Sequence, residues 1–335
     1  MAETDGSAPR VSAAEVQAQA EILQKYLDAT EAPADLDDDR VRVSAFVAKH
    51  HNEGRKIAVV TSGGTAVNLE KRAVRFIDNF STGRRGAATV EHLLERGYAV
   101  VMLSRQGSAA PFARTLQDAT STAFDSKFMD CLVVDEATGA VRIECKADTA
   151  AASLVQAIRE HQSFTKNGML LHISFKYLSD YMLKLRMCGE CAAPAGPSAI
   201  FILAAAVSDF HIPPDQMAEH KIQSRSGPLS LDLSQVPKAL GVLRFHWAPH
   251  SFFVSFKLET DHDILISKAQ QSIEKYDMHM VVANELLSRY KRISLVTRAG
   301  ETIVTKRSEE EEVEIPMVEA LCAAHAQFCS DAPKA

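Results

Sequence analysis

The sequence predicts an α/β fold with a mainly parallel sheet, and three observations carry that expectation. Ile57–Val60 and Tyr98–Leu103 are short apolar runs separated by a helix-patterned stretch, the arrangement of a βαβ unit. Ile200–Ala206 is apolar throughout, as a strand covered on both faces must be. Polar clusters follow such runs at Ser62, Val207 and Asn284, and in open α/β sheets ligands bind beyond the carboxyl ends of the strands. The expected architecture is a Rossmann-like three-layer fold with a long flap after a central strand and extra N-terminal helices. Residues 1–54 read as a tail with helices, and 55–330 as one domain.

Each element has a local reason. Residues 1–10 read as disordered. Val16, Ile22, Leu23, Tyr26 and Leu27 fall at helical spacing behind Ser12, a candidate N-cap. The acidic run Asp35–Asp39 reads as a solvated linker or cap, and Val41–His51 as a second short helix. The helix opened by Ser81-Thr82-Gly83 has Val90, Leu93 and Leu94 on one face and ends at Gly97. Leu132–Val134 and Val141–Ile143 suggest a hairpin around Gly139. Asp148–Gln162 reads as a helix, Met169–Phe175 as a strand and Tyr177–Cys188 as a helix. After Ala206 comes an irregular excursion, Val207–Ser230, with two prolines and a Gly-Pro turn; a segment of that length without periodicity is usually a functional loop. Leu229–Leu233 alternates like a short strand, and a helix is expected from Gln235 to Phe245. Phe252–Phe256 and Met280–Ala283 read as strands, Asp263–Lys275 as a helix, and Ile293–Val296 with Thr302–Thr305 as a hairpin. A last helix begins at the acidic run Glu309–Glu312 and ends near Cys329.

Composition excludes several classes. The 335 residues carry a net charge of -6 and no basic block, which argues against nucleic acid as the main partner. The first ten residues do not read as a secretory signal, and no run approaches the roughly 18 apolar residues of a membrane helix. Six scattered cysteines suit reduced thiols and a cytoplasmic location. Cys188 and Cys191 form a lone CxxC at a helix end, without a second pair to complete a zinc site.

The motifs point to a nucleotide. A strand leading through Ser62-Gly63-Gly64-Thr65, and a second glycine pair, Gly83 and Gly86, at a helix start, suit anion binding by unpaired backbone N–H groups. GxGxxG is missing, as is an acidic residue at the end of the second strand, where Arg105 stands instead. Arg105 would suit a 2′-phosphate, so an NADP-dependent reductase is one alternative. A nucleotide-binding homologue without turnover is another.

TSGGT, VRFIDNFSTGRRG, FILAAAVSDF, HKIQS, VPKAL, SFKLETD and VVANELL, in that order, resemble the eukaryotic phosphopantothenoylcysteine synthetases, also called phosphopantothenate–cysteine ligases. The match runs with gaps from about Arg55 to about Gln327. The resemblance implies a homodimeric ligase of coenzyme A biosynthesis. It would join 4′-phosphopantothenate to L-cysteine with ATP and Mg²⁺ through an acyl-adenylate. By motif, Gly63, Ser81, Gly83 and Gly86 would line the phosphates, and Phe256 and Asn284 would hold the base and sugar end. Asn79, Ala205, Ala206 and Asp209 would hold phosphopantothenate, with Arg75 contributed across the dimer interface. Backbone groups of the two alanines would stay accessible to the pantothenate amides. Lys221 matches the first lysine of the bacterial KIKK stretch and would be catalytic, with Asn79 beside it. Gln223 and Ser224 depart from that stretch, and Arg225 would replace the charge. No His/Cys/Asp cluster has metal-ligand spacing, so Mg²⁺ would arrive on the triphosphate.

Overall fold

The computed structural model describes residues 11–72, 74–115, 132–143, 148–223 and 228–333. Residues 1–10, Cys131, Cys145, Ser224 and Arg225 lie outside the described residues. Two helices, α1 (Ala13–Asp28) and α2 (Leu36–Asn52), precede the first strand, β1 (Ile57–Ser62). A short hairpin, β2 (Ala66–Asn68) and β3 (Phe76–Asp78), comes before α3 (Arg84–Glu95) and β4 (Ala99–Arg105). A second, β5 (Leu132–Val134) and β6 (Val141–Ile143), comes before α4 (Asp148–Lys166), β7 (Leu170–Phe175), α5 (Leu178–Ala192) and β8 (Ala199–Leu203). The long excursion holds β9 (Phe210–His211) and β10 (Ser234–Gln235), which pair with each other. Then follow α6 (Ala239–Val242), β11 (Phe252–Glu259), α7 (His262–Tyr276), β12 (Met280–Glu285), the hairpin β13 (Arg292–Thr297) and β14 (Gly300–Thr305), and α8 (Glu314–Asp331).

The main sheet has the order β14-β13-β12-β11-β8-β1-β4-β7. It is parallel from β12 to β7, and antiparallel only where β13 and β14 extend its edge. From β1 the chain builds outward through β4 and β7. It then returns to the other side of β1 at β8 and builds outward through β11 and β12. The direction reverses between β1 and β8, where Ile57 faces Ala99 on one side and Ala199 on the other. A crevice at the carboxyl ends of two strands that feed opposite directions is the standard ligand position in such sheets. β1 is buried at every position, which is why its sequence is apolar without alternation.

The N-terminal helices join the same hydrophobic core through Leu23, Leu27, Val43 and Val47. Ser12 caps α1 as expected: its hydroxyl accepts from the Glu15 N–H at 3.2 Å, and the Glu15 carboxylate accepts from the Ser12 N–H at 2.7 Å. The acidic run caps and opens a helix, with Asp35 at the N-cap and Asp35, Asp37 and Asp38 exposed, but Asp39 is buried. α2 starts at Leu36, and the Lys184 ammonium, 1% exposed on α5, donates to Asp35 at 2.7 Å, Asp39 at 2.8 Å and the Ser174 carbonyl at 2.8 Å. Ion pairing lets a lysine and an aspartate be buried together.

Four other assignments differ from expectation. β8 stops at Leu203, because the backbone of Ala205 and Ala206 turns to bond the loop after β1. Leu229–Leu233 is not a strand; the ladder residues are Ser234 and Gln235. The helix expected from Gln235 begins only at Ala239, since Pro237 cannot supply a ladder donor, and it continues as a π-helical turn over Leu243–Trp247. Glu312 stays outside α8 and turns instead to Arg114, at 2.7 Å.

Candidate active site

The loops after β1 and β8 are stitched into one floor. The Thr65 N–H donates to the Ala206 carbonyl at 3.0 Å, and the Ala206 N–H to the Gly63 carbonyl at 2.8 Å. Two hydroxyls finish the join: Thr61 Oγ1 accepts from the Ala205 N–H at 3.2 Å, and Thr65 Oγ1 from the Ser208 N–H at 2.9 Å. The Ala206 N–H and C=O and the Ala205 N–H are thus bonded within the floor. The expectation that these groups stand accessible to substrate amides is corrected on this point.

α3 points its N-terminus over this floor. Gly83 at its N-cap is left-handed, with φ 77°, which favours glycine. One turn later a Cβ on Gly86 would sit 2.3 Å from the Ser62 hydroxyl oxygen, so only glycine lets the helix start this close to β1. The Ser62 hydroxyl donates to the Gly83 carbonyl at 3.0 Å and fixes the approach. Gly63 lies beneath the cradle against Ser108 and Arg105, and so shapes it without lining it.

A cavity of about 280 Å³ opens above the cradle. Its walls bring together Ser81, Gly83, Gly86, Ala206, Phe256 and Asn284, each singled out in the sequence, with Ala204, Lys257 and Tyr290, which were not. The Asn284 amide donates to the Val282 carbonyl at 3.2 Å and the Lys257 carbonyl at 3.3 Å, and its Oδ1 is buried without a donor. An acceptor held in this way suits a ligand hydroxyl or amino group. Arg85 supports the wall: it donates to the Arg289 carbonyl at 2.5 Å and pairs with Glu314 at 2.9 Å. Burial holds its guanidinium below the ordinary arginine range, against the pull of Glu314.

The remaining residues lie around this cavity. The Asn79 N–H donates to the Thr65 carbonyl at 3.1 Å, so Asn79 sits at the edge of the floor. Asp209 is exposed at the flap root, where it accepts from Lys238 at 2.5 Å. Lys221 is exposed on the flap and lines neither this cavity nor the one at the flap root. Arg105 pairs with Asp78 in β3, so the cation that favoured an NADP-dependent reductase is already matched.

Arg75 meets its own chain. Its Nε and Nη2 donate to the Glu70 carboxylate at 3.0 and 2.7 Å, and Nη2 also reaches the Ile222 carbonyl at 2.6 Å. Glu70 is wholly buried and further accepts from the Arg75, Val74 and Ile222 N–H groups. Burial alone would raise this carboxyl, but those hydrogen bonds outweigh it and hold it below the ordinary carboxylate value. The Lys71 N–H donates to the Ala218 carbonyl at 2.9 Å beside it. Glu70 and Arg75 thus form a clip between the first hairpin and the flap, next to Lys221. Sequence reading missed Glu70, because nothing in the string shows that a lone glutamate faces inward.

Comparison with known proteins agrees with this geometry. A family model described as the DNA/pantothenate metabolism flavoprotein C-terminal domain matches residues 53–125 and 184–325. Phosphopantothenate–cysteine ligase 2 of Oryza sativa subsp. japonica is 42% identical over 303 residues, covering 88% of this chain and 90% of that protein. The Homo sapiens phosphopantothenate–cysteine ligase is 40% identical over 293 residues, covering 86% and 92%.

This chain belongs to the phosphopantothenate–cysteine ligase family.

A solved structure of a Cab2 variant in complex with phosphopantothenate-cysteine superposes with a TM-score of 0.82 at 30% identity, covering 92% of this chain and 98% of that one. Within this ligase-family chain, no described helix is long and apolar enough to cross a membrane. Among the described residues no group of His, Cys, Asp and Glu has the makings of a metal site. The Cys188 thiol is pushed up by burial and then by Cys191, so it stays protonated.

Proposed function

We propose that this family member is an ATP-dependent ligase that joins 4′-phosphopantothenate to L-cysteine in coenzyme A biosynthesis. The observation that carries the proposal is the cradle at the switch point, where the α3 N-terminus, Ser81 and the β8 loop meet under a cavity closed by Phe256 and Asn284. Unpaired N–H groups of a helix start, with the helix dipole behind them, suit a triphosphate. Among the described residues no carboxylate lines the cavity, and Mg²⁺ would be held by phosphate oxygens and water.

The chemistry needs two steps. A carboxylate oxygen of the acid attacks the α-phosphorus, the bond to the β-phosphate bridging oxygen breaks, and pyrophosphate leaves with the electron pair. The cysteine amine then attacks the acyl carbon, the bond to AMP breaks, and the amine proton passes to solvent. In this reading Asn79 and Asp209 position the acid over the floor that Ala205 and Ala206 form. Lys221 neutralises charge on the acyl-nucleotide when the flap closes.

A second copy of the chain would cover the first hairpin. Val74, Phe76, Ile77 and Phe80 stand exposed there, Phe80 at 91%. Among the described residues Arg75 engages Nε and Nη2, and its Nη1 would serve the neighbour's acid from that interface. The reaction is tested by incubating the protein with ATP, Mg²⁺, 4′-phosphopantothenate and cysteine. One AMP and one pyrophosphate per phosphopantothenoylcysteine are expected; pyrophosphate release independent of the acid would overturn the proposal.

A further inference from the structure

The cavity above the cradle has a neighbour. A second cavity, of about 290 Å³, lies at the flap root, and among the described residues Phe256 and Lys257 line both. β11 alternates, so Ser255 and Lys257 share one face. Ser255 lines the second cavity, and its buried hydroxyl has no hydrogen-bond partner among the described residues. The other charged groups there are Asp209 and Lys238, which neutralise each other at 2.5 Å. That leaves Lys257 without a carboxylate in contact among the described residues, Asp209 and Glu259 acting on it only from a distance. Its half-buried ammonium has no ion pair and no hydrogen bond among the described residues. Burial, then the like charge of Lys238, push that ammonium below the ordinary lysine value, with Asp209 opposing. Withdrawing a cation from water without a partner is costly, and the cost is removed when a bound ligand supplies the anion.

We propose that Lys257, which lines both cavities, is a further catalytic residue of the ligase: its ammonium touches the α-phosphate of the adenylyl group that passes from ATP to the acid. The inference rests on the acyl-adenylate reading above. As the carboxylate oxygen bonds to the α-phosphorus and pyrophosphate departs, negative charge on the non-bridging oxygens has to be matched, and no proton moves. Phosphoryl transfer is catalysed mainly by positioning and by such fixed charge. Lys257 supplies it from the sheet, opposite the flap.

The test is pyrophosphate–ATP exchange with Mg²⁺ and 4′-phosphopantothenate and without cysteine, which isolates the first step. Lys257→Met keeps the apolar stem and removes the charge. It is expected to lower the exchange kcat about 100-fold or more while ATP affinity, measured by calorimetry, changes much less. Lys257→Arg should recover much of the rate. Wild-type exchange in Lys257→Met, or a change confined to KM for ATP, would overturn the assignment. Lys257→Gln gives the same reading if the Met variant misfolds. Wild-type protein is the control: its failure to exchange would refute the acyl-adenylate reading itself, whereas an active wild type with an equally active Lys257→Met refutes only the role of Lys257.

Discussion

Lys184 and Lys257 are both withdrawn from water, and they are held in opposite ways. Lys184 is deep in α5, between Tyr181 and Leu185, and has three oxygens within 2.8 Å. Lys257, at the carboxyl end of β11, has none among the described residues. The first lysine is matched by its own chain and holds the N-terminal helices against the sheet. The second has no ion-pair partner among the described residues, and its residue lines two cavities. A buried cation with all its donors used is part of the fold; one with its donors free is part of a site.

The contrast can be broken at either end. Lys184→Met should give the largest loss. It leaves Asp39 buried with only the half-exposed Arg42 at 2.8 Å, so the lower part of the usual range applies, about 3 kcal/mol of stability. Denaturant unfolding measures it, and an unchanged midpoint would mean that Lys184 contributes no net stability. The Lys257 variants should do the reverse, keeping the midpoint while losing turnover. Lys221→Ala comes next: it should fold and bind ATP but make product roughly 100-fold more slowly. Wild-type turnover would remove Lys221 from the mechanism.

Glu70→Gln probes the clip beside Lys221. Replacing one carboxylate oxygen with a donor breaks the fork to Arg75 and loosens Ala218–Ile222. Turnover should fall about tenfold, in the range for a misplaced catalytic group, with faster amide exchange at Ile222. Lost turnover with unchanged exchange would detach the clip from flap position.

The smallest effect is on stability against pH. Burial lowers the His92 pKa, but its bonds to Glu312 and Glu95 prevail and raise it to about 9 from 6.5. A histidine raised in the folded state stabilises fully below its unfolded value and loses that contribution as pH rises through its folded value. The melting temperature should therefore fall between about pH 6.5 and pH 9, by roughly 2–4 °C, and His92→Gln should flatten that slope. Glu312 acts at the other end. Its carboxyl is held at about 2 because His92 and Arg114 overcome burial, so its contribution is lost only as pH falls from about 4.5 through 2.

The strands were legible because burial on both faces forces unbroken apolar runs, as in Ile57–Val60 and Ile200–Leu203. The cradle was legible because glycines at a strand end and a helix start have few other uses, although Gly86 is required by Ser62 and Gly64 by the Asn79 carbonyl, which are contacts within the chain. Two kinds of feature did not show. Element ends set by long-range hydrogen bonds, such as the halt of β8 at Leu203, depend on a partner as far off as Thr61 is from Ala205, 144 residues. Charge matching depends on three dimensions as well: Lys184 shares a helical stripe with Tyr181 and Cys188, a readable hint, whereas Lys257 looks like any strand-end lysine. The burial of Asp39 within the acidic run did not show for the same reason, since its cation lies far along the chain.

The acyl-adenylate at the switch-point cradle is tested most directly with 4′-phosphopantothenate labelled with ¹⁸O in its carboxylate, incubated with the protein, ATP, Mg²⁺ and cysteine. Attack by the carboxylate on the α-phosphorus predicts one labelled oxygen in the phosphate of AMP. Label in inorganic phosphate or pyrophosphate, or none in AMP after amide formation, would contradict the account.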